Sequence, residues 1–97
     1  LDNILSIMNK FSVLKLPSDL LTTTAQNAVE LRKELKLTQL ELSEKSGVSY
    51  GSVKRFERTG QISYESLLKI AEALDRLSDF ELLLSPNKTQ KVEELFK

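Results

Sequence analysis

The chain offers few kinds of side chain that could do chemistry. It has no histidine and no cysteine. That removes the commonest general base, the commonest zinc ligand, and any thiolate or disulfide. No glycine-rich phosphate loop and no carboxylate pair at a metal spacing takes their place. No catalytic residue, metal ligand or cofactor is assigned, and no enzyme is expected. The group that invites a chemical reading is cationic. In SGVSYGSVKRFERTG, residues 46–60, Lys54, Arg55 and Arg58 fall within five residues, with Gly51 about one helical turn upstream. Such cations face either solvent or a polyanion.

The distribution of charge gives the second reading weight. The 97 residues carry 14 cations and 14 anions, a formal net charge of zero. Residues 32–58 hold seven cations against four anions, while the flanking stretches are slightly acidic. A local positive excess is what contact with an anionic partner requires, although chance clustering on a solvated surface gives the same count. The length fits one small domain. No apolar run approaches the ~18 residues of a membrane span. The first residues lack a basic segment followed by a continuous apolar stretch, so no secretory signal is expected and the protein is read as cytoplasmic.

Helices must position those cations, and their starts are written in the sequence. In LTQLEL, Thr38 is an N-cap with Glu41 three residues on, a capping box, and Leu37 can staple to Leu42. VSYGSV repeats the staple with Val48, Ser49 and Val53; ISYESL does so with Ile62, Ser63 and Leu67. LSDFEL offers Ser78 as cap, Glu81 at the box position, and Leu77 against Leu82. Upstream, Ala28, Leu31, Arg32 and Leu35 share a helical stripe that begins near Pro17, and Thr22, Thr23 and Thr24 weaken its first half. The pattern predicts an all-α domain with helices over about 18–36, 38–45, 49–59, 63–75 and 78–84. Leu42, Val53, Phe56, Leu67, Ile70 and Leu74 form its core.

In the helix from Ser49, Val53 and Phe56 share one face. Tyr50, Gly51, Lys54, Arg55 and Arg58 share the opposite one. The preceding helix ends at Gly47, suited to a left-handed C-cap, and only three residues separate Lys45 from Ser49. Two helices joined so tightly cross steeply, as in a helix-turn-helix, whose second helix enters the major groove of DNA. The cations would then meet phosphates and base edges. Gly51 would let the backbone approach a sugar-phosphate strand or a thymine methyl; alternatively it is a tolerated surface glycine.

LTQLELSEKSGVSYGSVKRFERTGQIS, followed by LLKIAEAL, resembles the Cro/phage-repressor-type (Xre) helix-turn-helix domain over about residues 26–84. The resemblance implies a five-helix, lambda-repressor-like fold and a transcription regulator, most often a repressor, that binds double-stranded operator DNA as a homodimer. It implies that Tyr50, Gly51, Lys54 and Arg55 read bases. Thr38, Gln39, Ser49, Ser52 and Arg58 would contact phosphates. Arg32 and Glu57 would form a structural ion pair between the first helix and the recognition helix. Ser43 departs from the pattern, standing where the family usually has Ala at the close crossing of the two helices. Gly51 departs too, at a position where a polar base reader is common. KRFERTGQIS, the acidic LSDFELLL and the short tail also resemble the HipB-type antitoxin branch, whose members bind a HipA-type kinase toxin and repress their own operon.

The expected organisation is an N-terminal appendage over 1–16, the helix-turn-helix domain over 17–85, and a tail over 86–97 with a short helix at Val92, Leu95 and Phe96. Ile4, Ile7, Met8 and Phe11 have helical spacing and no partner in the domain core, which makes the N-terminal appendage the dimerisation candidate.

Overall fold

The computed structural model describes residues 16–86. The expectations for the N-terminal stripe and for the helix near Val92 lie outside the described residues. Four α-helices follow in order: α1 Pro17–Glu34, α2 Gln39–Ser46, α3 Tyr50–Thr59 and α4 Tyr64–Ala73. A 3-10 turn over Leu77–Phe80 closes the series. There is no strand among the described residues.

Each start has its local cause. Pro17 opens α1, where its fixed φ fits and its missing N–H costs nothing. Thr38 Oγ1 accepts from the Glu41 amide at 3.0 Å, and Glu41 Oε1 accepts from the Thr38 amide at 2.9 Å, completing the capping box of α2. Ser49 and Ser63 cap α3 and α4 by accepting from the amides of Ser52 and Ser66.

The helix ends follow two chemistries. α2 and α3 stop at Gly47 and Gly60, with φ of 78° and 80°. α1 and α4 stop with non-glycine residues in the same region, Lys36 at φ 59° and Asp75 at φ 64°. There the Leu37 amide donates to the Arg32 carbonyl, and the Arg76 amide to the Ala71 carbonyl. Both are six-to-one Schellman closures. These bonds hold a lysine and an aspartate where glycine is cheaper.

The core gathers where the four helices meet. Leu42, Val53, Phe56 and Ile70 are its largest fully buried side chains, and Ala25, Ala28, Val48, Ala73 and Leu74 complete it. Leu67 packs against this cluster while remaining partly exposed. Ala25 and Ala28 let α1 lie close over α3 despite the threonines before them. At the turn between α2 and α3, Ser43 Oγ donates to the Val48 carbonyl at 2.6 Å. Ser46 Oγ accepts from the Val48 amide at 3.1 Å. The departure to serine at position 43 therefore serves as a tie across the turn.

One expectation fails. No fifth α-helix forms over 78–84. The Ser78 side chain makes no cap; the 3-10 turn instead begins after Arg76, which pairs with Asp79 at 2.9 Å. The amides of Asp79, Glu81, Leu83 and Ser85 each bond three residues back, to Arg76, Ser78, Phe80 and Leu82. Leu84 at φ 59° and Pro86 then stop the chain from continuing. Between Asp75 and Pro86 there is too little length to repay the nucleation of an α-helix. Phe80 is fixed instead against Tyr64, edge to face at 6.2 Å.

Candidate nucleic-acid interface

α3 divides into two faces. Val53 and Phe56 are buried at 0 % and 1 % exposure. Tyr50, Gly51, Ser52, Lys54, Arg55 and Arg58 are all exposed. Gly51, Lys54, Arg55 and Arg58 line one shallow depression on the outer surface. A Cβ built at Gly51 would find no atom within 4 Å, and its backbone is ordinary. Nothing inside the domain requires glycine there.

The outward cations differ in their surroundings. The Lys54 ammonium sits over the Tyr50 ring, 4.2 Å from its centroid, a cation–π contact across one helical turn. An Arg55 nitrogen donates to Oε1 of Gln61. Gln61 is held just past the C-cap, where its amide donates to Thr59 Oγ1 at 3.0 Å. Arg58 makes no hydrogen bond or ion pair among the described residues. At the start of α3, Ser49 Oγ donates to Ser52 Oγ at 2.8 Å.

Thr38 and Gln39 mark the start of α2, and no hydrogen bond joins Thr38 to Ser49, Ser52 or Arg58 among the described residues. What ties α2 to α3 at this end is Gln39. Its Nε2 donates to Glu57 Oε1 at 2.8 Å. Glu57 also receives Arg32 from α1: Nε to Oε2 at 2.7 Å and Nη2 to Oε1 at 3.0 Å. Arg32 Nη1 donates to the Leu37 carbonyl at 2.8 Å, immediately before the α2 cap. One guanidinium thus links α1, the loop into α2, and α3.

Glu41, fully exposed, is held below the usual carboxylate range. The Thr38 backbone N–H is the main cause, and the Thr38 hydroxyl adds to it.

One participant and one bond went unread in the sequence. Gln61 lies six positions after Arg55 and beyond a helix end, so no helical period connects them. The Gln39–Glu57 bond spans 18 positions.

A short helix, a three-residue turn and an outward cationic helix make a helix-turn-helix, the arrangement that places its second helix in a DNA major groove. The chain belongs to the helix-turn-helix family of Cro/phage-repressor (Xre) type, whose sequence model matches residues 30–82. The match is to the family as a whole and does not single out its antitoxin branch. No curated protein and no solved structure matches the chain. Among the described residues no helix is long and apolar enough to cross a membrane, and no cluster of acidic residues could hold a metal ion.

Proposed function

We propose that the protein is a sequence-specific transcription regulator, a homodimeric repressor that reads operator DNA through α3. One observation carries this reading: the outer face of α3 presents Tyr50, Gly51, Lys54 and Arg55 beside Arg58, with no anion among them and the core face directly behind. In a major groove, the first turns of such a helix reach base edges while its later residues meet the backbone. Tyr50, Lys54 and Arg55 therefore read bases, and Gly51 brings the backbone against them. Arg58, one turn further on, contacts a phosphate, as do Thr38, Gln39, Ser49 and Ser52 at the two helix starts.

Operators of this kind are read by two-fold partners, whose recognition helices enter successive major grooves about 34 Å apart. We assign the dimer contact to residues 1–16, where Ile4, Ile7, Met8 and Phe11 recur at helical spacing. Selection of bound fragments from random duplex DNA tests the reading. The expected product is an inverted repeat with half-sites about one helical turn apart. Recovery of no enriched sequence would refute specific reading, and enrichment of a single unrepeated site would refute the dimer.

A further inference from the structure

We propose that Glu57 is a positioning residue for DNA binding: neutralised by Arg32, its carboxylate holds the Gln39 amide at the start of α2 so that the remaining N–H meets a DNA phosphate. This rests on the reading of α3 as a DNA-binding helix and gives a second task to an ion pair that otherwise serves only the fold.

The geometry begins with what each group can do. An ionised carboxylate only accepts hydrogen bonds, so the nitrogen end of the Gln39 amide is the end that faces Glu57 at 2.8 Å. That nitrogen carries a second hydrogen, and the amide makes no other hydrogen bond among the described residues. Gln39 is half-buried, and it opens α2. One N–H of the amide is anchored and the other is unused. A free glutamine at a helix start would sample several rotamers and lose that freedom on binding; anchoring removes the cost beforehand.

The arrangement needs Arg32. A bare carboxylate next to a phosphate contact would repel the backbone it is meant to serve. Arg32 satisfies both Glu57 oxygens, at 2.7 Å and 3.0 Å, and cancels that charge. Through its bond to the Leu37 carbonyl it also fixes the chain two residues before Gln39. Fold stability alone would need the guanidinium and the carboxylate; it would not need Gln39. The shared Oε1, accepting from both Arg32 Nη2 and Gln39 Nε2, is what connects the fold to the surface.

The test separates folding from positioning. Three variants are compared with wild type by thermal unfolding and by titration of a selected operator duplex and a random duplex: Gln39→Ala, the double variant Arg32→Met/Glu57→Leu, and the triple combination. Replacing the ion pair by apolar residues of similar size keeps the fold near wild-type stability. It nonetheless weakens binding to both duplexes about tenfold per bound subunit, the size of one charge-assisted hydrogen bond. Gln39→Ala gives the same loss, and the triple variant loses no more than either. Wild-type affinity in the double variant, or losses that multiply in the triple, would overturn the proposal. Should the double variant not fold, the wild-type chain decides by nuclear magnetic resonance of the Gln39 side-chain amide. One proton is expected to stay bonded to Glu57 and the other to shift when operator is added; no response of either overturns the proposal. A wild-type chain that binds neither duplex refutes the DNA-binding reading itself, a result distinct from selective loss in the variants.

Discussion

Arg32 on α1 and Glu57 on α3 meet at 2.7 Å with only 12 % and 6 % of their side chains exposed. The pairing is two-pronged, since both carboxylate oxygens accept from the guanidinium. Deleting one partner leaves the other charge nearly buried and unpaired. Glu57→Ala should therefore cost about 3–5 kcal/mol. For a domain of this size that is a fall in Tm of roughly 10–20 °C or more. Circular dichroism melts of the single variant and of Arg32→Met/Glu57→Leu check this, the double variant recovering most of the loss. An unchanged Tm in Glu57→Ala would mean that water compensates the arginine.

Gly60 and Gly51 should respond oppositely to alanine. At Gly60 a Cβ would stand 2.5 Å from the Leu21 carbonyl oxygen and 2.8 Å from Leu21 Cβ, on a backbone at φ 80°. Strain and collision between α1 and the end of α3 act together there, and Gly60→Ala should destabilise by at least about 2 kcal/mol. At Gly51 the space is open. Gly51→Ala should leave stability unchanged or raise it by up to about 1 kcal/mol, because the unfolded chain loses freedom and alanine favours helix. Measured melts settle the signs. If Gly51→Ala also weakens operator binding, the glycine is kept for the DNA and at some expense to the fold.

These contrasts indicate what a sequence can carry. The caps at Thr38, Ser49 and Ser63 were legible because a cap is local chemistry, with donor and acceptor three residues apart. The same rule misled at Ser78, where the cap signal was present but Arg76–Asp79, Leu84 and Pro86 left no room for an α-helix to follow. The faces of α3 were legible because a period of 3.6 sorts Val53 and Phe56 from Lys54, Arg55 and Arg58. The ends of α1 and α4 were not located to the residue, since Lys36 and Asp75 do not advertise a left-handed conformation as glycine does. The bonds from Gln39 to Glu57 and from Arg55 to Gln61 depend on how helix ends meet in space, which no spacing rule encodes.

The capping box of α2 gives a pH signature. Glu41 titrates below an ordinary glutamate because the ionised carboxylate accepts from the Thr38 amide. A depressed folded-state pKa means that its stabilisation is fully present above the unfolded value, about 4.3, and is lost as pH falls through the lower folded value. Wild type should therefore exceed Glu41→Gln in Tm at pH 7, and the difference should shrink as pH falls below about 4. Paired melts across that range check it. A gap that persists at the lowest pH would point to packing of Glu41 rather than its charge.

The three cations of α3 should be separable by salt and by sequence. Arg58 has no partner among the described residues and lies past the first turns of the helix. Acting on phosphate alone, it should weaken operator and random duplex equally when changed to alanine. The magnitude of the log–log salt slope should drop by about 0.9 for each phosphate lost. Arg55 and Lys54 start from other positions. On the proposed reading Arg55 reaches a base edge from beside Gln61, and Lys54 does so from its place over Tyr50. Arg55→Ala should cost the operator about 1–3 kcal/mol and relax preference at one position of the half-site, while random duplex suffers less. Tyr50→Ala removes the ring that holds the Lys54 ammonium, so it should broaden preference at the position Lys54 reads as well as at its own. Equilibrium titrations at several salt concentrations, against the operator and single-base variants, resolve all three changes. Equal losses on every sequence for Arg55→Ala would move that residue from the bases to the backbone, and the specificity of α3 would then rest on Tyr50, Gly51 and Lys54.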